Sequence, residues 1–265
     1  MTISMDQLKE LRALTQAPLG DCKQALVEAE WDIEKAQKIL RDKGAIKAGK
    51  KADRETNEGI VVIKHIWNKI AGVKFACETD FVAKNETFRG MAQQVLDIVA
   101  ATADEVTSWE VVSDAAKQQI DTMIKDNFVT MGENMQVLDV FVTWRQGYIY
   151  THPGDKIAVV VFYEGDESLA KDAALQVAAM SPEYHRVEDI PADKVAQMKQ
   201  EMLADLANDT KPADIKEKIV EWRVAKYFGE IVFMEQPSIK DETKKMKDLL
   251  WDKCRVSGYI RYAIG

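Results

Sequence analysis

A succession of strand and helix patterns occurs twice along the chain, and this repeat limits the folds it can adopt. Branched and aromatic residues fill Ile60 to Trp67 and Val73 to Cys77, with a turn predicted over Asn68 to Gly72. Helical apolar spacing follows at about Thr87 to Ala101 and again at about Ser113 to Asn127. Two strand patterns joined by turn residues indicate a hairpin, and the helices should bury one face on its sheet.

The second occurrence of the pattern begins near residue 137. The predicted elements are strands at Val137 to Trp144, Gly147 to Tyr150 and Lys156 to Tyr163, a helix at Leu169 to Met180, a late strand at Ile231 to Met234, a helix near Lys244 to Trp251 and a final strand at Ser257 to Ala263. We therefore expect an α+β fold with two related sheet-plus-helix core subdomains, residues 53–138 and residues 139–265.

Two amphipathic segments interrupt the second subdomain at about residues 188–228. Their apolar stripes consist of Val195, Met198, Met202 and Leu206, and of Ile215, Ile219 and Trp222. The apolar seam of each segment is narrow and its remaining surface is charged or amidic, which is typical of an antiparallel helical hairpin of the coiled-coil type, turning at Asn208 to Lys211. An ordinary helix pair lying on the core is the alternative interpretation.

The first 52 residues predict a separate three-helix domain with a basic linker. Pro18 separates the first two helices, Asp32 can cap the third, and Gly44 is a plausible helix end. This small bundle resembles ubiquitin-associated (UBA) domains in size and layout. Lys43 to Lys51 is basic, but the whole chain carries a net charge of −8, which argues against direct nucleic-acid binding.

No pattern in the sequence predicts catalysis. Phosphate-binding glycine loops, zinc-binding helices and nucleophile elbows are all missing from it. The three cysteines and three histidines are scattered along the chain, so we expect no metal site, no cofactor and no enzymatic activity. Since no apolar run is long enough to cross a bilayer, we expect a cytoplasmic protein without membrane contact.

One segment departs from the local rules of the sequence. Phe81 stands among charged and turn-forming residues between a predicted strand and a predicted helix. Either the ring is exposed for binding, or Phe81 and Val82 lie beneath the hairpin as part of the core.

Four stretches of the chain resemble one family in the same order. They are Asp21-Cys22-Lys23-Gln24-Ala25-Leu26, Cys77-Glu78-Thr79-Asp80-Phe81-Val82-Ala83-Lys84-Asn85, Gly132-Glu133-Asn134-Met135-Gln136-Val137 and Glu235-Gln236-Pro237. Together they are similar to the elongation factor Ts family, and the second stretch resembles its signature nearly residue for residue. The resemblance spans nearly the whole chain, including the three-helix start and the inserted hairpin.

The resemblance implies a guanine-nucleotide exchange factor that binds the GTPase elongation factor Tu during translation elongation. In the family, residues matching Asp80 and Phe81 push in beside the magnesium site of the GTPase, and this disrupts its Mg²⁺ and phosphate contacts and promotes GDP release. The remaining expected contact residues are Thr79, Val82, Asp21, Cys22, Lys23 and His152.

Some positions depart from the family pattern. Gln16-Ala17-Pro18-Leu19-Gly20 replaces a glycine-rich turn, Ser238 stands where an aromatic residue is usual, and Leu138-Asp139 replaces a commonly basic pair. The alternative function is a non-catalytic adaptor whose ubiquitin-associated-like start binds a ubiquitin-like partner. Such an adaptor would bind through its first 44 residues and would be indifferent to changes at Asp80 and Phe81.

Overall fold

The computed structural model describes residues 5–51, 53–102, 105–206 and 212–265. The chain divides into two compact units, one of residues 1–145, 153–157 and 262–265, the other of residues 146–152 and 158–261. Helices accompany two three-stranded sheets, so the predicted α+β class is confirmed.

Three helices begin the first unit: α1 (Met5–Thr15), α2 (Leu19–Glu28) and α3 (Ile33–Lys51). Pro18 immediately precedes α2, where its fixed φ fits the start of a helix. The three helices enclose an apolar cluster of Leu8, Leu11, Ala17, Cys22, Ala25, Leu26, Ala29, Ala36 and Leu40.

Helix α3 is longer than the sequence predicts. Gly44 does not end it, and the basic stretch that follows continues the helix to Lys51. A Cβ atom at Gly44 would lie 2.2 Å from Cγ2 of Val129, so the absence of a side chain allows the close approach of a later helix. The predicted helix end is therefore wrong, because packing and not chain reversal explains this glycine.

The first sheet is antiparallel and contains β1 (Glu58–Ile66), β2 (Lys69–Cys77) and β3 (Met135–Thr143) in that order. Only Trp67 and Asn68 separate the paired residues Ile66 and Lys69, so the predicted turn over Asn68 to Gly72 is wrong. Two-residue hairpins need a positive φ, which glycine or asparagine normally supplies. Here Trp67 supplies it, with φ at 54°.

Helices α4 (Asp80–Ala83), α5 (Glu86–Thr102) and α6 (Asp114–Met131) follow the first hairpin. The apolar faces of α5 and α6 share one core with the sheet, as predicted. In that core the rings of Phe75 from β2 and Phe88 from α5 stack with their centroids 4.6 Å apart. Ile120 of α6 is buried in the same cluster.

The end of the chain completes the first unit. Tyr262 and Ile264 are buried, and the Tyr262 ring meets Phe141 of β3 at a centroid distance of 5.6 Å. The backbone N–H of Ile264 donates to the carbonyl of Lys156, 3.0 Å away. Residues 262–265 are therefore packed against residues far from them in sequence.

The second sheet contains β4 (Gly147–Thr151), β5 (Ile157–Gly165) and β6 (Cys254–Ala263), in the order β4-β5-β6, and α7 (Glu167–Met180) follows β5. The sequence groups the strand at Val137 to Trp144 with this half of the chain. That grouping is wrong, because β3 pairs with β2 of the first sheet.

Helices α8 (Ala192–Asp205), α9 (Ala213–Ile231) and α10 (Met246–Leu250) complete the second unit. The first two share a cluster of Leu206, Val220 and Val224, with Met198, Met202, Ile219 and Phe228 against it. Trp222, predicted in this seam, is 65% exposed. The predicted turn at residues 208–211 lies outside the described residues.

The late strand predicted at Ile231 to Met234 is wrong. Ile231 ends α9, and a short 3₁₀ turn, Phe233–Glu235, follows it. The run is apolar because Val232 and Phe233 are fully buried, and a single bridge joins Val232 to Tyr184. A short apolar run does not by itself distinguish a strand from a buried helix end.

Among the described residues, no helix is both long enough and apolar enough to span a membrane.

Candidate partner-binding site

The segment from Cys77 to Lys84 turns sharply from β2 into α4. Thr79 lies just before α4 in an extended conformation, and its hydroxyl accepts a hydrogen bond from the backbone N–H of Val82, 3.5 Å away. A threonine at this position satisfies one of the free N–H groups at a helix start. Thr79 therefore caps the start of α4.

Consecutive residues of α4 face opposite environments. Phe81 is 82% exposed, whereas Val82 and Ala83 are buried in the core of the first unit. Side chains one position apart on a helix point in different directions, so the two buried residues force the ring outward. The predicted exposure of Phe81 is confirmed, and the alternative in which Phe81 lies in the core is wrong.

Asp80 precedes the exposed ring and carries a negative charge. Its carboxylate accepts a hydrogen bond from the ammonium of Lys84 at 2.7 Å, one helical turn later. This hydrogen bond is the main reason that the pKa of Asp80 lies below its ordinary value. The segment thus presents an ionised carboxylate beside an exposed aromatic ring.

A second segment, between α6 and β3, holds the first in place. The Glu133 carboxylate accepts hydrogen bonds from the Thr79 hydroxyl at 2.6 Å and from the Thr79 backbone N–H at 3.0 Å. Glu78 accepts one from the backbone N–H of Asn134 at 2.7 Å and pairs with Arg54 at 3.1 Å.

The contact between Thr79 and Glu133 was not predicted. Its only signal in the sequence is the family-like stretch from Gly132 to Val137, for which we predicted no role.

Burial and ionic partners act in opposite directions on Glu78. Burial raises the pKa of this carboxyl, while the hydrogen bonds from Asn134 and Arg54 lower it, and the lowering prevails. Burial, reinforced by the nearby Glu133 carboxylate, raises the pKa of the Cys77 thiol to about 12. Cys77 is therefore a neutral thiol in the core.

The predicted residues of α2 differ from one another in exposure. Lys23 is exposed, and Asp21 forms an ion pair with Lys47 of α3 at 3.0 Å. Asp21 and Lys47 both line a cavity of about 390 Å³ between α2, α3 and α6. Cys22 is fully buried, and its thiol donates to the carbonyl of Ala17 at 3.5 Å.

His152 belongs to the second unit and is exposed at the end of β4. Its Nδ1 atom lies 2.9 Å from the hydroxyl of Tyr150. In the part of the chain that the structure describes, no group of three or more histidine, cysteine or acidic residues could hold a metal ion.

Comparison with known proteins identifies the family. A profile described as Elongation factor TS matches residues 78–265, a range that begins at the turn into α4. The elongation factor Ts of Hydrogenobaculum sp. (strain Y04AAS1) is 38% identical over 272 residues, covering 100% of both chains. That of Aquifex aeolicus (strain VF5) is 36% identical, covering 100% of this chain and 99% of the relative. The chain belongs to the elongation factor Ts family.

Membership in the elongation factor Ts family confirms the resemblance that the four sequence stretches indicated. It also confirms the predicted role in translation elongation as a nucleotide exchange factor.

Proposed function

We propose that this chain binds elongation factor Tu and promotes the release of GDP by inserting the Phe81 ring beside the nucleotide site. One observation carries the proposal: Phe81 is 82% exposed on a short helix whose next two residues are anchored in the core. An exposed aromatic on a fixed support is the kind of side chain that contributes most at protein interfaces.

The free energy of binding between the two proteins explains how a factor that makes or breaks no covalent bond can release a nucleotide. If the ring fits best when the Mg²⁺ and phosphate contacts of the GTPase are open, binding shifts the GTPase toward that open state. The coupling is reciprocal, so each 1.4 kcal/mol of preference for the nucleotide-free state weakens nucleotide binding about tenfold.

The other contact residues are proposed with roles that fit their surroundings. Asp80 contributes its charge beside the ring, while Thr79 and Val82 fix the turn that carries both. On α2, Lys23 and Asp21 contact the partner and the buried Cys22 supports them from behind. His152 contacts the partner from the second unit, since it is exposed.

We also propose two parts of the domain division that the sequence predicts. Residues 1–52 form a ubiquitin-associated-like domain, and residues 188–228 form an antiparallel coiled-coil hairpin. The narrow apolar cluster shared by α8 and α9 supports the last assignment. The predicted boundary between the core subdomains at residue 138 is not kept, because β3 crosses it and pairs with β2. The setting proposed for this activity is the cytoplasm.

The test is the rate at which elongation factor Tu loses fluorescent GDP to excess unlabelled nucleotide. Wild-type chain should accelerate the loss at substoichiometric amounts, and Phe81→Ala should lower kcat/KM at least tenfold, as expected for loss of a central aromatic contact. Trp67→Ala removes another exposed ring, 73% accessible, and should exchange like wild type.

Circular dichroism of each variant separates lost contact from lost folding. An unchanged exchange rate for folded Phe81→Ala would contradict the proposal. If that variant also bound a ubiquitin-like protein through its first 44 residues alone, this result would support the adaptor alternative.

A further inference from the structure

Hydrogen bonds still join the two chains beyond the last residue pair of the β2–β3 ladder. Cys77 and Met135 form the final pair, and the two chains then diverge toward α4 and α6. Beyond that pair, carboxylates replace backbone carbonyls as acceptors. We call Arg54, Glu78, Thr79, Glu133 and Asn134 the clasp.

The hydrogen bonds of the clasp are reciprocal. Glu78 accepts from the backbone N–H of Asn134, and Glu133 accepts from that of Thr79, so each chain offers a carboxylate to the other. Arg54 closes the arrangement, because its guanidinium pairs with Glu78 and its carbonyl accepts from the Asn134 side chain at 2.8 Å. Hydrogen bonds to charged groups are stronger than neutral ones.

The second contact of Glu133 sets the direction in which the Thr79 hydroxyl points its hydrogen. An ionised carboxylate only accepts, so the Thr79 hydroxyl must donate its hydrogen to Glu133. The oxygen of that hydroxyl is then free to accept from the backbone N–H of Val82. Glu133 thereby orients the group that caps α4.

Helix α4 depends on such support. It has four residues, Asp80–Ala83, and a helix this short does not hold its own geometry. Within the described residues, no hydrogen bond or ring contact restrains the Phe81 ring itself, so its position follows the backbone of α4. What fixes that backbone also fixes the point from which the ring projects.

We propose that Glu133 is a positioning residue for nucleotide exchange, acting through Thr79 and α4 to set where Phe81 is presented. The inference rests on the proposed function of Phe81. It gives Glu133 a role within this chain that requires no contact with the partner.

Glu133→Gln tests the role with little change of shape. The two donors of Thr79 meet different oxygens of Glu133, so in the amide one of these donors faces an NH₂ group that cannot accept. We expect kcat/KM for GDP exchange to fall about tenfold, the scale of one charged hydrogen bond. Thr79→Val removes the same hydroxyl contact from the other side and should produce a loss of similar size. Glu105→Gln, an exposed change in the same unit, is the matched control.

A double-mutant cycle with Phe81→Ala distinguishes positioning from general damage. If Glu133 acts through the ring, Glu133→Gln should add little once Phe81 is alanine. An equal loss in both backgrounds would overturn the positioning role while leaving the proposed function intact. If Phe81→Ala alone did not slow exchange, the proposed function and the inference resting on it would both fail.

A measurement on the free chain needs no partner. With 4-fluorophenylalanine placed only at position 81, the ¹⁹F resonance should shift or broaden in Glu133→Gln and Thr79→Val, and stay unchanged in Glu105→Gln. Thermal unfolding confirms that each variant is folded. An identical ¹⁹F spectrum in all of the folded variants would overturn the inference.

Discussion

Neighbouring residues of the turn into α4 lie in different environments. Thr79 is hydrogen-bonded to Glu133, and Asp80 forms an ion pair with Lys84. Phe81 faces solvent, while Val82 is buried. The sequence indicated the exposure of Phe81 because charged residues flank it. It could not indicate Glu133, which lies 54 residues from Thr79. Hydrogen-bond partners this distant depend on strand pairing, which local patterns do not specify.

His185 offers a prediction about pH at the same scale. Its ring lies near Phe233 and Tyr259, with centroids 5.8 and 6.2 Å away, and its buried Nε2 atom has no hydrogen-bond partner among the residues that the structure describes. Burial, with a smaller contribution from Arg186, lowers the pKa of His185. The unfolded chain therefore binds a proton more readily than the folded chain does.

The sign of the effect follows from that difference. Neutral His185 makes its full contribution to the free energy of unfolding above the ordinary pKa of about 6.5. That contribution is lost as the pH falls from there toward the lowered pKa. Urea unfolding between pH 7 and pH 5 should show a smaller decline for His185→Phe than for wild type. A matching change at exposed His65 should keep the wild-type decline, and identical slopes for all three proteins would refute the prediction.

At the scale of elements, the crossing of α3 and α6 depends on Gly44. Alanine normally stabilises a helix interior by about 0.5–1 kcal/mol over glycine. Here the added Cβ atom would overlap a methyl group of Val129 at 2.2 Å. Overpacking of this kind costs about 1–3 kcal/mol. We therefore expect Gly44→Ala to lower the free energy of unfolding by about 1 kcal/mol.

Two comparisons in denaturant unfolding make this prediction sharp. Gly49→Ala, in the same helix, meets no atom within 4 Å and should stabilise the protein. In a Val129→Ala background the obstructing methyl group is gone, so Gly44→Ala should become stabilising as well. Stabilisation by Gly44→Ala in the wild-type background would show that the crossing tolerates a side chain.

The helices α8 and α9 show what periodicity can and cannot predict. Both were expected near their observed ranges, because each carries an apolar stripe. The seam of α9 uses Val220 and Val224, while Trp222, predicted to face it, is exposed. Helical spacing from Ile215 and Ile219 selected the tryptophan, but the rotation of the helix decides which residues meet the partner helix.

At the scale of the whole molecule, sheet membership was the least predictable property. Each strand was expected near its observed position, yet β3 was assigned to the wrong sheet. The third strand of the second sheet, β6, lies far along the chain from β5. Alternation of side chains reveals a strand, but nothing local in it identifies the neighbour with which it pairs.

The return of the chain end to the first unit gives a further prediction. Tyr262→Ala would remove the ring that meets Phe141 and leave a cavity beside β3. We expect a loss of about 3 kcal/mol in unfolding free energy, as for other large-to-small changes in cores. Hydrogen exchange should show faster opening of β3. Unaltered protection of β3 amides would contradict this account.

This return also has a consequence for biosynthesis. Tyr262 and Ile264 leave the ribosome some two hundred residues after β1, yet Tyr262 covers Phe141 of β3 and Ile264 lies against Gly59 of β1. Until Tyr262 and Ile264 emerge, the Tyr262 ring does not cover Phe141, and the nascent first unit exposes apolar surface there. Complete burial of the first sheet must therefore await a segment that is synthesised much later.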